Sequence, residues 1–375
     1  MILDTIRSIY RTNLGIKAGE KVLVFTDLTS PTESVDAGDA CRRDGLRYIS
    51  LLTAEIGRSF TKKIIYQEYQ ATGSHGTEPP LELWEVAFGK TFVKKLRKKS
   101  IMDPLLKKEL SDSDLKGIED ILKKSKPEAV SAVIALSNYS TSHTRFRDFL
   151  TRICGCRYAS MPLFDVSMFE GSMHVDWKAL AKRTRTLEKT VNQAVTIGIT
   201  SPNGTHLRLS KEGRKALSDT GILTKKGAFG NLPAGEVFLA PLEGTAEGTL
   251  ILDWAPMREL TEPIALTVEN GEVVNIAGRE PFADYLRSKL AENQGNRNIA
   301  ELGIGTNPRA KRPDNILESE KILGTIHIAL GDNSSFGGKV KTPFHQDFVF
   351  FKPTVTLIAA GGTKVNILEK GVPMF

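Results

Sequence analysis

A chain of 375 residues with 40% hydrophobic and 25% charged residues has the make-up of a folded globular protein, not of a disordered one. Its length exceeds the roughly 250–300 residues at which single cores stop growing, so two domains are expected. The net charge of +7 is concentrated in one stretch, "GKTFVKKLRKKSIMDPLLKKEL" (89–110). With no nucleic-acid motif beside it, that stretch reads as a solvated helical insertion whose lysine stems cover apolar neighbours.

Three cysteines, Cys41, Cys154 and Cys156, form no CxxC pair, which fits reduced thiols and a cytoplasmic location. The N-terminal "MILDTIRSIYRTNLGI" mixes charges among helically spaced apolar residues and lacks the core of a signal peptide. No stretch approaches the ~20 apolar residues of a membrane helix, so no membrane partner is expected.

The first half alternates strand-like and helix-like segments. "KVLVFTD" (21–27) reads as a strand, "SPTESVDAGDACRRDG" as a helix start with Pro31 near its first turn, and "RYISLLT" as a second strand. "AVSAVIALSNYSTSHTRFRDFLTRICGCRYASMP" repeats the pattern as strand, turn, helix and strand. Such alternation predicts an α/β domain with a mostly parallel sheet.

From about Val191 the texture changes to short β-rich runs, among them "AVTIGIT", "GEVFLAP", "GTLILDW" and "IALTVENGEVVNIAG". Asn270-Gly271 carries hairpin chemistry, and Pro281 to Gln294 reads as a helix. The expected division is an α/β domain over 1–187 and an α+β domain over 188–375, with a charged helix around 178–194 at the junction. Two glycine-rich runs, "GIGTNP" from Gly303 and "GDNSSFGGKV" from Gly331, fail the dinucleotide and P-loop spacings and read as turns.

The second half also places ionisable residues in apolar, strand-like contexts that do not need them. These are Glu236, Glu301, Glu320, His327, and the His345/Asp347 pair of "PFHQDFVFF". Residues two apart on a strand share a face, so His345 and Asp347 converge on one spot. Charged groups of this kind are rarely buried unless paired or bound to metal, and the mixture of carboxylates and imidazoles without cysteine suits a hard divalent ion.

The blocks "NLPAGEVFLAPLEGTAEGTLILD", "NIAELGIGTNP", "GTIHIALGDN" and "PFHQD" resemble the ordered blocks of the thermophilic aminopeptidase T and S family of metallopeptidases. The resemblance spans nearly the whole chain. It implies a homodimer acting on a peptide or small-molecule substrate, with Glu236, Glu301, His327, His345 and Asp347 holding two divalent ions (Zn, Co, Mn or Mg) per subunit. Glu301 is then the bridging, catalytic carboxylate, and Glu320 a further acidic group that relays protons. His143 and Asn333 are expected on the substrate side. Peptidases of the family carry a tyrosine a few residues after the histidine matching His327, where this chain has Asp332, Asn333 and Ser334; no tyrosine follows Tyr285.

The favoured expectation is an aminopeptidase-like hydrolase. A second branch of the same superfamily, the 2,5-dihydroxypyridine dioxygenases, implies one Fe(II) on Glu301, His345 and Asp347 instead. A non-enzymatic protein using residues 89–110 to contact an acidic partner is the third reading; nucleic acid is not expected.

Overall fold

The computed structural model describes residues 1–125 and 128–375 and divides into two compact units. One comprises Met1–His174 and Gly221–Pro233, the other Val175–Thr220 and Ala234–Phe375. The chain thus first crosses into the second unit at Val175, ahead of residue 188, and returns to the first for Gly221–Pro233. The charged helix, Trp177–Val191, buries Leu187 and Val191 in the core of the second unit and belongs wholly to it.

The first unit holds a five-stranded parallel sheet, in the order Ile64–Gln70, Val22–Leu28, Ala132–Ala135, Arg157–Ser160, Phe229–Asn231. Its central strands are buried along all but the last residue, Leu28, as parallel strands covered on both faces must be. Two local expectations change. The first long helix begins at Ala37, capped by Asp36 accepting from the Asp39 N–H at 2.8 Å, and Pro31 lies in the loop before it. "RYISLLT" belongs to this helix, Ala37–Gly57, and the second strand is Ile64–Gln70. Leu46, Ile49, Ser50, Thr53 and Ala54 are buried while Tyr48, Leu51 and Leu52 are exposed, a helical period that a short β-branched run conceals.

The Lys-rich stretch forms helices Lys90–Lys98 and Met102–Leu106, which bury Phe92, Val93, Leu96, Met102 and Leu105 and leave the lysines outward. The cysteines are free thiols. Among the described residues no helix is long and apolar enough to cross a membrane.

The second unit is built from two antiparallel sheets. The larger has eight strands, with the Arg258–Glu269 and Glu272–Ala277 pair turning at Asn270-Gly271, both at positive φ (50° and 78°) as that hairpin requires. The smaller has five, in the order His345–Phe350, Ile326–Gly331, Ile299–Gly305, Glu236–Leu239, Leu217–Asp219. Helix Pro281–Glu292 lies where Pro281 to Gln294 predicts one. One face of the five-stranded sheet, carrying Val237, Leu239, Leu302, Ile304, Ile328 and Phe348, joins Ile199, Leu209, Leu266 and Val355 of the larger sheet in a single apolar core. The chain is thus an α/β protein with a parallel sheet in one unit and an α+β arrangement in the other.

Candidate metal centre

Strand alternation sends every second residue of the five-stranded sheet away from that core. Cross-strand pairs point the same way, and the register aligns Glu301 with Ala329 and Ala329 with Asp347 in one row. The next row joins Phe238, Gly303, His327 and Val349, while Gly305 faces Glu236 and Gly331 faces His345. Four adjacent strands each deliver carboxylate or imidazole groups to one face, separated by glycines and an alanine that leave room for them. The suspected residues therefore share a surface because the opposite face must be apolar.

Gly303 is not the turn that "GIGTNP" suggests but an interior position of a strand. A Cβ there would collide with the His327 imidazole, which lies across it and is 1% exposed. Gly303→Ala is expected to drive this ring off its position, costing about 1–3 kcal/mol of stability and weakening metal binding. Thermal denaturation together with metal titration of the variant checks this; an unchanged metal affinity would show that His327's placement is immaterial.

Glu301, His345 and Asp347 bring one donor atom each to within 4.8 Å of one another. His345 Nε2 lies 3.5 Å from Glu301 Oε2 and 3.5 Å from Asp347 Oδ1. These separations are too long for good hydrogen bonds. They match the spacing of neighbouring ligands, about 3.0–3.5 Å apart, around an ion that sits ~2.1 Å from nitrogen and oxygen. His345 Nδ1 lies 2.8 Å from the carbonyl of Asp332. A carbonyl only accepts, so Nδ1 carries the hydrogen and Nε2 is the atom left to face an ion, the outer-partner arrangement typical of metal-bound histidine.

Beside this trio, His327 Nε2 lies 3.5 Å from Glu301 Oε1 and 3.7 Å from Glu236 Oε2. Glu236 Oε2 and His327 Nδ1 are buried and lack a hydrogen-bond partner. Glu320 joins through Lys321, which sequence reading passed over: its side chain is 0% exposed, and its ammonium donates to Glu236 Oε1 and Glu320 Oε2, both at 2.8 Å. The signal was present in "LESEKILG", where a lysine is embedded in an otherwise apolar, acid-flanked turn. Lys321 and Gly303 are thus site residues that composition and spacing did not single out.

Charge compensation shapes the titration of the site. Burial by itself would lower both imidazoles. The Glu301 contact and the charges of Glu236 and Glu320 lift His327 to about 9, and Asp347 and Glu301 lift His345 to about 10. Burial would raise Asp347, yet His345 and His327 hold it well below the usual carboxylate range. Burial pushes Glu320 up to about 7 against the pull of Lys321.

In the metal-free protein both histidines are therefore charged at neutral pH, and a metal must displace protons. Raised pKa values stabilise the fold fully below the ordinary 6.5 and lose that contribution as pH rises through about 9–10. The metal-free protein is expected to lose thermal stability between pH 7 and 10 while its affinity for divalent metal increases over the same window, with protons released on binding. Calorimetry in buffers of different ionisation enthalpy measures that release, and a pH-independent affinity would contradict it.

Of the two expected substrate residues, Asn333 belongs to the second unit and His143 to the first. Asn333 is 0% exposed and hydrogen-bonded at both ends of its amide: its Nδ2 donates to Glu243 Oε1 at 3.0 Å and its Oδ1 accepts from the Val340 N–H at 2.9 Å. Glu243 is paired in turn with Arg214, so Asn333 braces the 332–342 loop instead of facing a ligand. His143 is exposed in the first unit, next to Thr144, which caps helix Arg145–Asp148 by accepting from the Arg147 N–H. From the braced loop Phe336 reaches back to the centre, edge-on to the His345 ring at 6.2 Å and to Phe238 at 5.8 Å.

The family model described as 2,5-dihydroxypyridine 5,6-dioxygenase matches residues 172–364, over half of the chain and the whole stretch from Glu236 to Asp347. The chain belongs to the 2,5-dihydroxypyridine 5,6-dioxygenase family. A relative described by that same name, from Pseudomonas putida strain KT2440, is 29% identical over 182 residues, 44% of this chain and 52% of the relative. The match thus spans about half of that relative's length.

Among solved structures, the 2,5-dihydroxypyridine dioxygenase of P. putida KT2440 superposes with a TM-score of 0.68 at 18% identity, covering 100% of this chain and 96% of that one. The AmpT protein of Thermus thermophilus superposes at 0.57 and 16% identity, covering 100% and 99%. Both branches anticipated from sequence therefore share the fold. Family membership falls on the dioxygenase branch, in place of the favoured aminopeptidase.

Proposed function

We propose that the chain is a dioxygenase that holds one Fe(II) between Glu301, His345 and Asp347 and opens the ring of a dihydroxylated pyridine. The observation that carries this reading is the convergence of those three donors on one point, with the Asp332 carbonyl fixing the imidazole. Membership of the family supports the reaction class. When bound, Fe(II) in this mixed oxygen and nitrogen donor set supplies the redox chemistry for reaction with dioxygen and keeps positions free for a substrate.

The remaining work falls to the chain's own groups. Glu301 faces His345 through one oxygen and His327 through the other, which locks the carboxylate between the ion's ligands and the buried imidazole. His327 Nε2, beside Glu301 and Glu236, places an imidazole able to hold and donate a proton next to the centre where a ring oxygen would gain negative charge. Phe238 and Phe336 provide an apolar wall suited to the face of a planar heteroaromatic. Asp332, Asn333 and Ser334, standing where the resemblance puts a peptidase's tyrosine, spend their side-chain polar atoms on hydrogen bonds within the loop and to Glu243.

Oxygen uptake tests this reading. Protein reconstituted anaerobically with Fe(II) is expected to consume one dioxygen per 2,5-dihydroxypyridine lost and to leave N-terminal amino-acid anilides intact. Anilide hydrolysis without oxygen uptake would overturn it.

A further inference from the structure

We propose that Lys321 is a built-in cation that occupies the position of a second metal ion and thereby limits this centre to one. The inference rests on the one-iron reading and extends it by naming the residue that sets the ion count.

Lys321 Nζ sits between Glu236 and Glu320 at 2.8 Å from each, the two carboxylates that the iron trio does not use. Glu236 leaves its second oxygen, Oε2, buried and without a hydrogen-bond partner, 3.7 Å from His327 Nε2. A carboxylate pair with one unpartnered oxygen and an imidazole beside it is a divalent-ion donor set. In this chain a protonated amine fills it. An ammonium donates and cannot ligate, so a second ion arriving here would have to expel a buried charge instead of water.

The lysine is not free to swing out. Its carbonyl accepts from the Asn307 N–H at 2.9 Å, its N–H donates to the Glu318 carbonyl at 3.0 Å, and its side chain is fully enclosed. The ammonium also offsets the negative charge of Glu236 and Glu320, so the fold does not need a second ion to assemble. Lys321 is a positioning residue in this account and touches no reacting atom.

Metal stoichiometry is the readout, taken by equilibrium dialysis against Mn(II) or Zn(II) with elemental analysis. The intact chain is expected to saturate at one equivalent, Lys321→Ala at two, and the double variant Lys321→Ala/Glu236→Gln at one again. If Lys321→Ala folds only when Mn(II) or Zn(II) is supplied, that dependence supports the proposal; failure to fold with and without metal overturns it. Saturation of both the intact chain and Lys321→Ala at one equivalent sinks the role of Lys321 and leaves the one-iron reading standing. Two equivalents in the intact chain sink the one-iron reading itself.

Discussion

His345→Ala is expected to lose its iron and all ring opening while keeping its fold. His345 belongs to the edge strand of the five-stranded sheet, its side chain 29% exposed, so removing the ring leaves a notch at the surface and not a cavity in the core. Its loss takes away the single nitrogen donor of the trio. Removing an outer partner of a metal ligand typically costs roughly 10–100-fold in affinity, and loss of a ligand itself is expected to exceed that. The variant also relieves Asp347 of the imidazolium that holds its pKa down, so the metal-free protein becomes less resistant to acid. Iron content and far-ultraviolet circular dichroism, measured on the same sample, separate loss of metal from loss of fold. A variant that retains stoichiometric iron would remove His345 from the ligand set.

Lys321→Ala is expected to destabilise the metal-free protein more than any other single change in the site. The substitution takes away the ammonium that bridges Glu236 and Glu320 inside the protein and leaves His327 to compensate both carboxylates, and breaking a buried pair by removing one partner costs about 3–5 kcal/mol. For a unit of this size that corresponds to a fall in melting temperature of about 6–20 °C. Divalent metal should return part of the loss, because anything that binds only the folded state stabilises it. Removing the charge on both sides, as in Lys321→Met/Glu236→Gln, is expected to cost less than the single change. Melting curves with and without metal test the point, and a single variant as stable as the parent would mean that the ammonium offsets no buried charge.

The sequence exposed the donor set because strand periodicity is short-range: His345 and Asp347 two apart in an apolar run need no tertiary information to be placed on one face. Glu236, Glu301 and His327 were conspicuous for the same reason, as charges in segments whose other residues belong to a core. Their order around the centre depends on strand pairing over long separations, such as Gly303 against His327 and Ala329 against Asp347, and no local pattern encodes that.

Lys321 escaped notice because a lysine beside two glutamates is ordinary on a surface, and only burial makes it a charge with a task. Asn333 invited a substrate role by following His327 closely in sequence, whereas the loop turns its amide inward to Glu243. In the first unit, "RYISLLT" carries strand-like residues whose tertiary burial follows a helical period, so packing overrode local propensity. The peptidase expectation drew on donor residues that the resemblance assigns to both branches, and the family match over residues 172–364 is what separates them.

Activity of the proposed centre is expected to require one iron per chain. Metal-free protein titrated anaerobically with Fe(II), then assayed for oxygen uptake with 2,5-dihydroxypyridine, is predicted to gain activity linearly and to level off sharply at one equivalent per chain. Activity that appears only as the second equivalent is added would contradict it.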